Sequence, residues 1–137
     1  MKYILIFCLS LLGFTNTFSQ ATIHTDTDKV FMMVQTQPKF PGDINKYLND
    51  NLNYPEDAKN KNQQGTVYVS FVVEKDGSIS TIKILRGVAP SLDNEAIRFV
   101  SAMPKWIPGM QNGHAVRVQY NVPIRFVLSD DKPSKKN

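Results

Sequence analysis

The sequence predicts an α+β fold, with two helices packed on a three-stranded antiparallel sheet and an N-terminal extension that carries a short strand and a helix. Three patterns support this fold class. Two runs of β-forming residues flank Asp76-Gly77, which is typical of a hairpin. An apolar stripe at helical spacing follows them. Residues 116–128 then alternate apolar and polar side chains, as in a strand with one buried face.

Residues 1–19 have the pattern of a secretory signal peptide. Lys2 precedes an apolar run at residues 3–14, which is shorter than the roughly 20 residues that a membrane span needs. Thr17-Phe18-Ser19 has the small-x-small pattern of a cleavage site, so we predict export to the periplasm and processing after Ser19. The alternative is an uncleaved inner-membrane anchor through residues 3–14.

Composition argues against several classes of function. The 137 residues suit one domain, and 16 Lys and Arg are spread along the chain against 12 Asp and Glu, so no nucleic-acid surface is expected. Cys8, the only cysteine, lies in the apolar N-terminal run, which leaves no thiolate metal site. His114 precedes the last strand without a partner at ligand spacing, and we interpret it as solvated. We therefore expect no metal, no cofactor and no enzyme activity.

The domain is predicted to span residues 30–128, between a flexible leader at 20–29 and a disordered basic tail at 129–137. Its extension opens with a possible strand at residues 30–34. Asp43 is expected to cap a helix in which Ile44, Tyr47 and Leu48 share one face.

A second short helix is predicted to begin at Pro55. Proline suits the first helical position because its missing N–H would be unpaired there in any case. Glu56 and Asp57 follow in the first turn, where the helix dipole favours negative charge.

The hairpin is the clearest local signal. Residues 66–74 and 79–86 form its strands, and Asp76-Gly77 is a favoured two-residue turn. This loop places apolar residues on one face and polar residues on the other. The predicted pairs are Lys75 with Ser78, Phe71 with Ile82, Val69 with Ile84, Ser70 with Lys83, and Val72 with Thr81.

After the hairpin, Ser91 is predicted to cap a helix that ends before Pro104. Its apolar stripe consists of Leu92, Ala96, Phe99, Val100 and Met103. The long last strand follows. Pro123 lies inside that strand and cannot donate a ladder hydrogen bond, which favours an edge position.

Trp106, the only tryptophan, lies in the connector between Pro104 and Pro108-Gly109. Flanking prolines prevent regular helix there. We interpret its indole as a plug where the helix end meets the sheet end, which would bury on the order of 200 Å². A ligand platform is the alternative.

The predicted last strand provides the main functional hypothesis. A strand with unpaired backbone groups is a template for a partner strand. The alternatives are that the leader or a dimer partner covers this edge. Outward Arg117 and Arg125 would favour an acidic flank on a bound peptide.

Together these motifs resemble the C-terminal domain of the TonB energy transducers, and most closely the Bacteroidetes type, in which a segment such as Phe40-Pro41-Gly42 precedes the domain. The resemblance covers roughly residues 30–128. It is carried by Tyr54-Pro55, Gly65–Val73, Asp76-Gly77, Leu92-Asp93 with Ala96, Met103-Pro104-x-Trp106-x-Pro108-Gly109, and Val122-Pro123-Ile124-x-Phe126.

The resemblance implies a periplasmic binding module that engages outer-membrane transporters. Their TonB-box peptide would add as a strand beside the last strand of the domain, and polar residues before Tyr-Pro would also meet the receptor. The residues implied in partner binding are Val116, Arg117, Val118, Gln119, Tyr120, Asn121, Val122, Pro123, Arg125, Asn51, Asn53 and Tyr54. The implied structural landmarks are Trp106, Pro108, Gly109, Asp76 and Gly77.

Full transducers also carry an uncleaved transmembrane helix and a Pro-rich spacer, and neither pattern occurs in this sequence. Contact with a proton-channel complex is therefore expected to be indirect. The alternative function is a periplasmic regulator or envelope adaptor that binds another peptide or peptidoglycan without energy transduction. A homodimer through strand edges also stays open.

Overall fold

The computed structural model describes residues 29–128. The predicted signal peptide, nearly all of the leader and the basic tail lie outside the described residues. The three helices are α1 (Ile44–Asn51), α2 (Glu56–Asn60) and α3 (Pro90–Ser101). The strands are β1 (Val30–Phe31), β2 (Gly65–Val73), β3 (Ile79–Arg86), β4 (Gly109–Gln111) and β5 (His114–Phe126).

The sheet has the strand order β1-β5-β2-β3. The central strand β2 runs antiparallel to both β3 and β5, which gives the predicted three-stranded antiparallel arrangement. β1 and α1 form the predicted extension, so the α+β fold class is confirmed. β1 pairs with β5 in parallel, and β4 pairs with the first residues of β5.

The loop of the β2–β3 hairpin differs from the prediction. The Glu74 amide donates to the Ser78 carbonyl, so the loop has three residues rather than the predicted two. Gly77 takes the left-handed conformation at φ 85°, as in three-residue loops with glycine in that position. Val69 still faces Ile84 and Ser70 faces Lys83, as predicted.

The one-residue offset at the loop is absorbed by an irregularity in β3. Val72 faces Ser80 rather than the predicted Thr81, and the register shifts between Ser70 and Val72. Thr81 has φ 51°, a conformation that is rare for a β-branched residue. A bulge at this point therefore reconciles the three-residue loop with the apolar pairing farther along the hairpin.

The structure has a second hairpin, between β4 and β5, that was not predicted from the sequence. Asn112 and Gly113 both have positive φ, at 50° and 76°, which is the geometry of a type I′ turn. Asn-Gly is the favoured sequence for that turn, so the signal was present. The prediction lacks this hairpin because Pro108-Gly109 by itself indicates only a turn toward the last strand.

Two helix starts also differ from the predictions. α3 is capped by Ala89 and has Pro90 at its first position, so Ser91 lies inside the helix instead of capping it. The fixed φ of proline favours that first position and moves the start toward the N-terminus. Pro55 lies one residue before α2 rather than in it.

α1 begins as predicted. The Asp43 carboxylate accepts hydrogen bonds from the amides of Asn45 and Lys46, at 2.9 and 3.2 Å, and so pairs two donors that the first helical turn leaves free.

The core lies where α3 packs against the inner face of the sheet. Its largest fully buried side chains include Phe71, Phe99, Phe126, Leu92 and Ile124. Full burial of side chains of this size contributes about 1.5–3 kcal/mol each. Ile44, Tyr47 and Leu48 of α1 are partly buried and pack on this core, as their spacing predicted.

Candidate functional site: an open strand edge beside helix α1

One side of β5 pairs with β2 from Val118 to Phe126, and the other side has no strand neighbour within residues 29–128 from Gln119 onward. The β2–β5 ladder runs without a register shift from Val73 and Val118 to Gly65 and Phe126. Val118 also pairs with Phe31, so β1 lies on the side of β5 opposite β2. Within residues 29–128, no strand pairs with that opposite side from Gln119 onward.

This arrangement corrects the extent of the predicted edge. We expected an open edge from Val116, but β4 pairs with β5 at residues 114–116 and β1 pairs with Arg117 and Val118. Val116, Arg117 and Val118 therefore already have strand neighbours. The residues of the predicted set that line the open part are Gln119, Tyr120, Asn121, Val122, Pro123 and Arg125.

A groove lies between this open edge and α1. It consists of two adjoining pockets of about 180 and 370 Å³, which share Leu48, Asn49, Leu52 and Arg125. The larger pocket is also lined by Asn45 and Pro123, and the smaller by Tyr54, Phe126 and Val127.

The groove lining gives the direction of α1. Asn45 lines the groove together with Pro123, whereas Leu52, just after the helix, also lines it with Phe126 and Val127. The N-terminal end of α1 is thus beside Pro123, and its C-terminal end is beside the last residue of the strand. Helix and strand run along the groove in the same direction.

The sequence did not predict Leu52, Asn45 or Asn49 as site residues, and it predicted Leu48 only as part of the apolar face of α1. The i, i+4 spacing of Leu48 and Leu52 was a readable signal. What the sequence could not supply is the position of the helix against the strand edge.

Among residues 29–128, Arg125 is the one charged residue that lines the groove. It is exposed and makes no ion pair with another residue of the described range. Its guanidinium can therefore bind a carboxylate with two parallel hydrogen bonds.

Arg117 does not have the outward role that the sequence suggested. Its Nε and Nη2 donate to the Glu74 carboxylate at 2.7 and 3.1 Å, and both side chains are about three-quarters buried, with exposures of 24% and 23%. The Arg117 guanidinium holds the pKa of Glu74 below its usual value. Arg117 thus joins β5 to the end of β2 instead of presenting a cation to a partner.

Of the predicted partner-binding residues around Tyr54-Pro55, Tyr54 lines the groove and the two asparagines before it do not. Its ring packs edge-on against Phe126 at 5.6 Å, its hydroxyl donates to the Gln63 carbonyl, and burial raises the pKa of its phenol. Asn51 donates from its side chain to the Tyr47 carbonyl, and neither Asn51 nor Asn53 lines the groove.

Glu95 of α3 fixes the segment that leads from α1 to Tyr54. It is 9% exposed and accepts a hydrogen bond of 2.8 Å from the Asn53 amide and two from Arg98 at 2.6 and 2.7 Å. Burial alone would raise the pKa of Glu95, but the bonds from Arg98 and Asn53 outweigh it and lower that pKa. Arg98 also donates to the Asn51 carbonyl, so one ion pair holds both ends of this segment.

Trp106 is buried as predicted, with 4% of its surface exposed. Its ring packs against Phe40, Phe71 and Tyr120 at centroid distances of 5.0 to 5.6 Å. Its backbone amide donates to the Gly77 carbonyl at 2.9 Å. A Cβ at Gly77 would lie 2.0 Å from the Trp106 carbonyl oxygen, so the hairpin tip needs glycine for this approach. Trp106 therefore supports both the hairpin and β5.

Across residues 29–128, no group of three or more His, Cys, Asp or Glu side chains is placed to hold a metal ion. None of the helices in the described range is long and apolar enough to cross a membrane.

Comparison with known proteins identifies a family. Residues 50–128 match the model for the Gram-negative bacterial TonB protein C-terminal domain. Two solution structures of the Helicobacter pylori TonB C-terminal domain are similar to this chain. One, of residues 179–285 of that protein, is 25% identical, covers 64% of this chain and 79% of its own, and has a TM-score of 0.49. The other, of residues 194–285, is 24% identical over 64% and 92%, with a TM-score of 0.47. No curated protein sequence matches the chain.

Proposed function

Because this chain belongs to the family of Gram-negative bacterial TonB protein C-terminal domains, we propose that it binds a peptide segment of an outer-membrane transporter as an added strand on β5. Domains of this family are periplasmic and take part in TonB-dependent transport. In this proposal the protein acts in the periplasm, after removal of residues 1–19, and supports energy-coupled transport through the transporters that it engages.

The observation that carries the proposal is the open edge of β5 from Gln119 to Phe126. Its ladder with β2 is regular, so the backbone groups on its other side form an evenly spaced row. The groove beside α1 provides space along the last part of that row, from Pro123 to Phe126. An extended peptide placed there gains main-chain hydrogen bonds, each worth about 0.5–1.5 kcal/mol net.

Pro123 indicates which backbone groups face the peptide. Alternate residues of an antiparallel strand direct their N–H and C=O groups to the same side. If the odd-numbered residues of β5 face away from β2, the missing N–H of Pro123 costs the β2 ladder nothing. On this arrangement, we infer that the amides of Gln119, Asn121 and Arg125 are donors to the added strand.

Arg125 gives the site a charge preference. In the part of the chain that the structure describes, it is the only charged side chain of the groove lining, and α1 contributes leucines and amides on the facing wall. An aspartate or glutamate in the added strand, placed beside Arg125, would complete an ion pair. The proposed ligand is therefore an extended peptide with an acidic residue.

Titration calorimetry of the purified protein with peptides from the periplasmic TonB-box segments of transporters encoded in the same genome tests the proposal. We expect at least one peptide to bind at micromolar to submillimolar concentration. A folded protein that binds none of them at millimolar concentration would contradict the transporter-binding function and favour the alternative of an envelope adaptor.

A further inference from the structure

We propose that α1 selects the partner strand by its side chains, favouring peptides with apolar residues at two alternate positions that face Leu48 and Leu52. This inference rests on the proposed strand addition and deepens it. Leu48 precedes the part of the chain that matches the family, whereas Leu52 lies within it, so this wall of the groove spans the start of the matched domain.

The two leucines have apolar surface on the groove as well as on the core. Both pack against the core cluster while staying partly exposed, and both line the two pockets of the groove. α1 has no fully buried residue, so its apolar face is shared between the core and the open space. A partner side chain that covers the remaining surface would gain free energy from that burial.

The charges of α1 are kept away from the groove. Lys46 and Asp50 form an ion pair of 2.7 Å with each other, and neither lines the groove. Asn45 and Asn49 are the polar residues of α1 that do. The facing walls are thus a neutral, partly apolar helix on one side and Pro123 with Arg125 on the other.

The spacing of the leucines matches that of an added strand. Residues four apart on a helix are separated by about 6 Å along its axis. Alternate residues on one face of a strand are about 6.6–6.8 Å apart. Because α1 runs along β5, side chains at i and i+2 of an added strand can each meet one leucine. The intervening residues then face the side of the groove that holds Arg125.

Two variants of a peptide that binds in the titration above test this inference. In one, two apolar residues at alternate positions are replaced by serine, and in the other the intervening pair is replaced. Replacement of the pair that faces α1 is expected to weaken binding by about tenfold. Replacement of the other pair is expected to have little effect. The tenfold ratio corresponds to about 1.4 kcal/mol, or about 55 Å² of apolar surface at 25 cal/mol per Å².

Protein variants then assign the effect to the helix. Leu48→Asn should reduce the tenfold preference to about twofold or less. Ile44→Asn is the matched control, because Ile44 packs on the core from the same helix but does not line the groove. It should leave the preference unchanged.

A gain-of-function variant keeps the test valid if Leu48→Asn does not fold. Asn49 is exposed and lines the groove, so Asn49→Leu should increase the preference for the apolar peptide at no cost to folding. Equal binding of both serine peptides, or a preference that neither α1 variant changes, would overturn the role of α1 while strand addition stands. If no parent peptide binds at all, strand addition itself fails. A second copy of the chain found in the groove by NMR would also overturn the choice of occupant.

Discussion

The two outer strands of the antiparallel sheet differ in how they present their edges. β5 forms an unshifted ladder with β2, and its open part lies beside a groove. β3 shifts register twice against β2, holds Thr81 at a positive φ, and exposes Lys83 and Arg86. Bulges and exposed basic side chains are the usual means by which proteins prevent strand addition at an edge.

The difference suggests that the fold protects one edge and leaves the other available. β3 has no strand beside its outer side within residues 29–128, yet its irregular backbone makes it a poor template. Within residues 29–128, β1 pairs with Arg117 and Val118 on the side of β5 away from β2, and no strand pairs with that side from Gln119 onward. An edge that is both regular and open is an aggregation hazard unless it has a partner, so selection for a ligand is the simplest account.

The largest expected effect comes from the side chain that supports both regions. Trp106→Ala should lower the free energy of unfolding by about 3–5 kcal/mol, the usual cost of such large-to-small core changes. Denaturant melts would measure the change, with peptide binding tested at a temperature where the variant is folded. An unchanged melt with lost binding would show that Trp106 contacts the ligand and that the plug interpretation is wrong.

The next effect concerns the support of the groove. Glu95→Gln should lower the free energy of unfolding by about 1.5–3 kcal/mol at neutral pH, because hydrogen bonds to a charged group are lost. The folded pKa of Glu95 is lowered, so its stabilisation is present above the unfolded pKa near 4.5 and is lost as the pH falls through the folded pKa. The difference between the two proteins in thermal melts should therefore shrink in acid.

Glu56→Gln is a suitable control for that experiment, since Glu56 is 77% exposed and forms a surface ion pair with Lys59. It should change stability by less than about 0.5 kcal/mol. A Glu95→Gln difference that grows in acid would contradict the proposed pKa direction.

Gln119→Pro tests the open edge itself. It should weaken peptide binding by about tenfold or more, because it removes a donor at the proposed binding edge. Gln119→Ala keeps that donor and should bind almost normally. Calorimetry together with a thermal melt measures both variants, and a folded proline variant that binds unchanged would place the peptide on another surface.

Charge gives the smallest effect. Arg125→Ala should weaken binding of an acidic peptide by about 0.2–1 kcal/mol, the range for exposed ion pairs, and less so at high salt. Lys83→Ala on β3 should leave the affinity unchanged. Equal losses from the two variants would indicate a general effect of net charge rather than a contact at β5.

Local patterns predicted most of the elements. Alternation from Val116 to Phe126 predicted β5, and Asp43 before an apolar periodicity predicted the start of α1. The length of the β2–β3 loop was predicted wrongly, because the same local sequence is compatible with more than one loop. Asp76-Gly77 fits loops of two or three residues, and only the approach of Gly77 to Trp106 and the bulge at Thr81 distinguish them.

The site was predicted only in part, for a different reason. Pro123 indicated an edge, but which residues cover it depends on contacts between distant segments. β1 pairs with the backbone at Arg117, and the Arg117 side chain forms an ion pair with Glu74. Both contacts join parts of the chain that are about 40 or more residues apart in sequence. The wall formed by Leu48 and Leu52 is likewise a tertiary contact that spacing alone does not reveal.

Amide hydrogen exchange by NMR, with and without a bound transporter peptide, tests the central claim most directly. Strand addition on β5 predicts new protection of the amides of Gln119, Asn121 and Arg125. On this arrangement the even-numbered amides of β5 face β2, so they and the amides of β3 should change little. Saturation with peptide that leaves the three β5 amides exchanging as before, or that protects the outer side of β3 instead, would contradict the account.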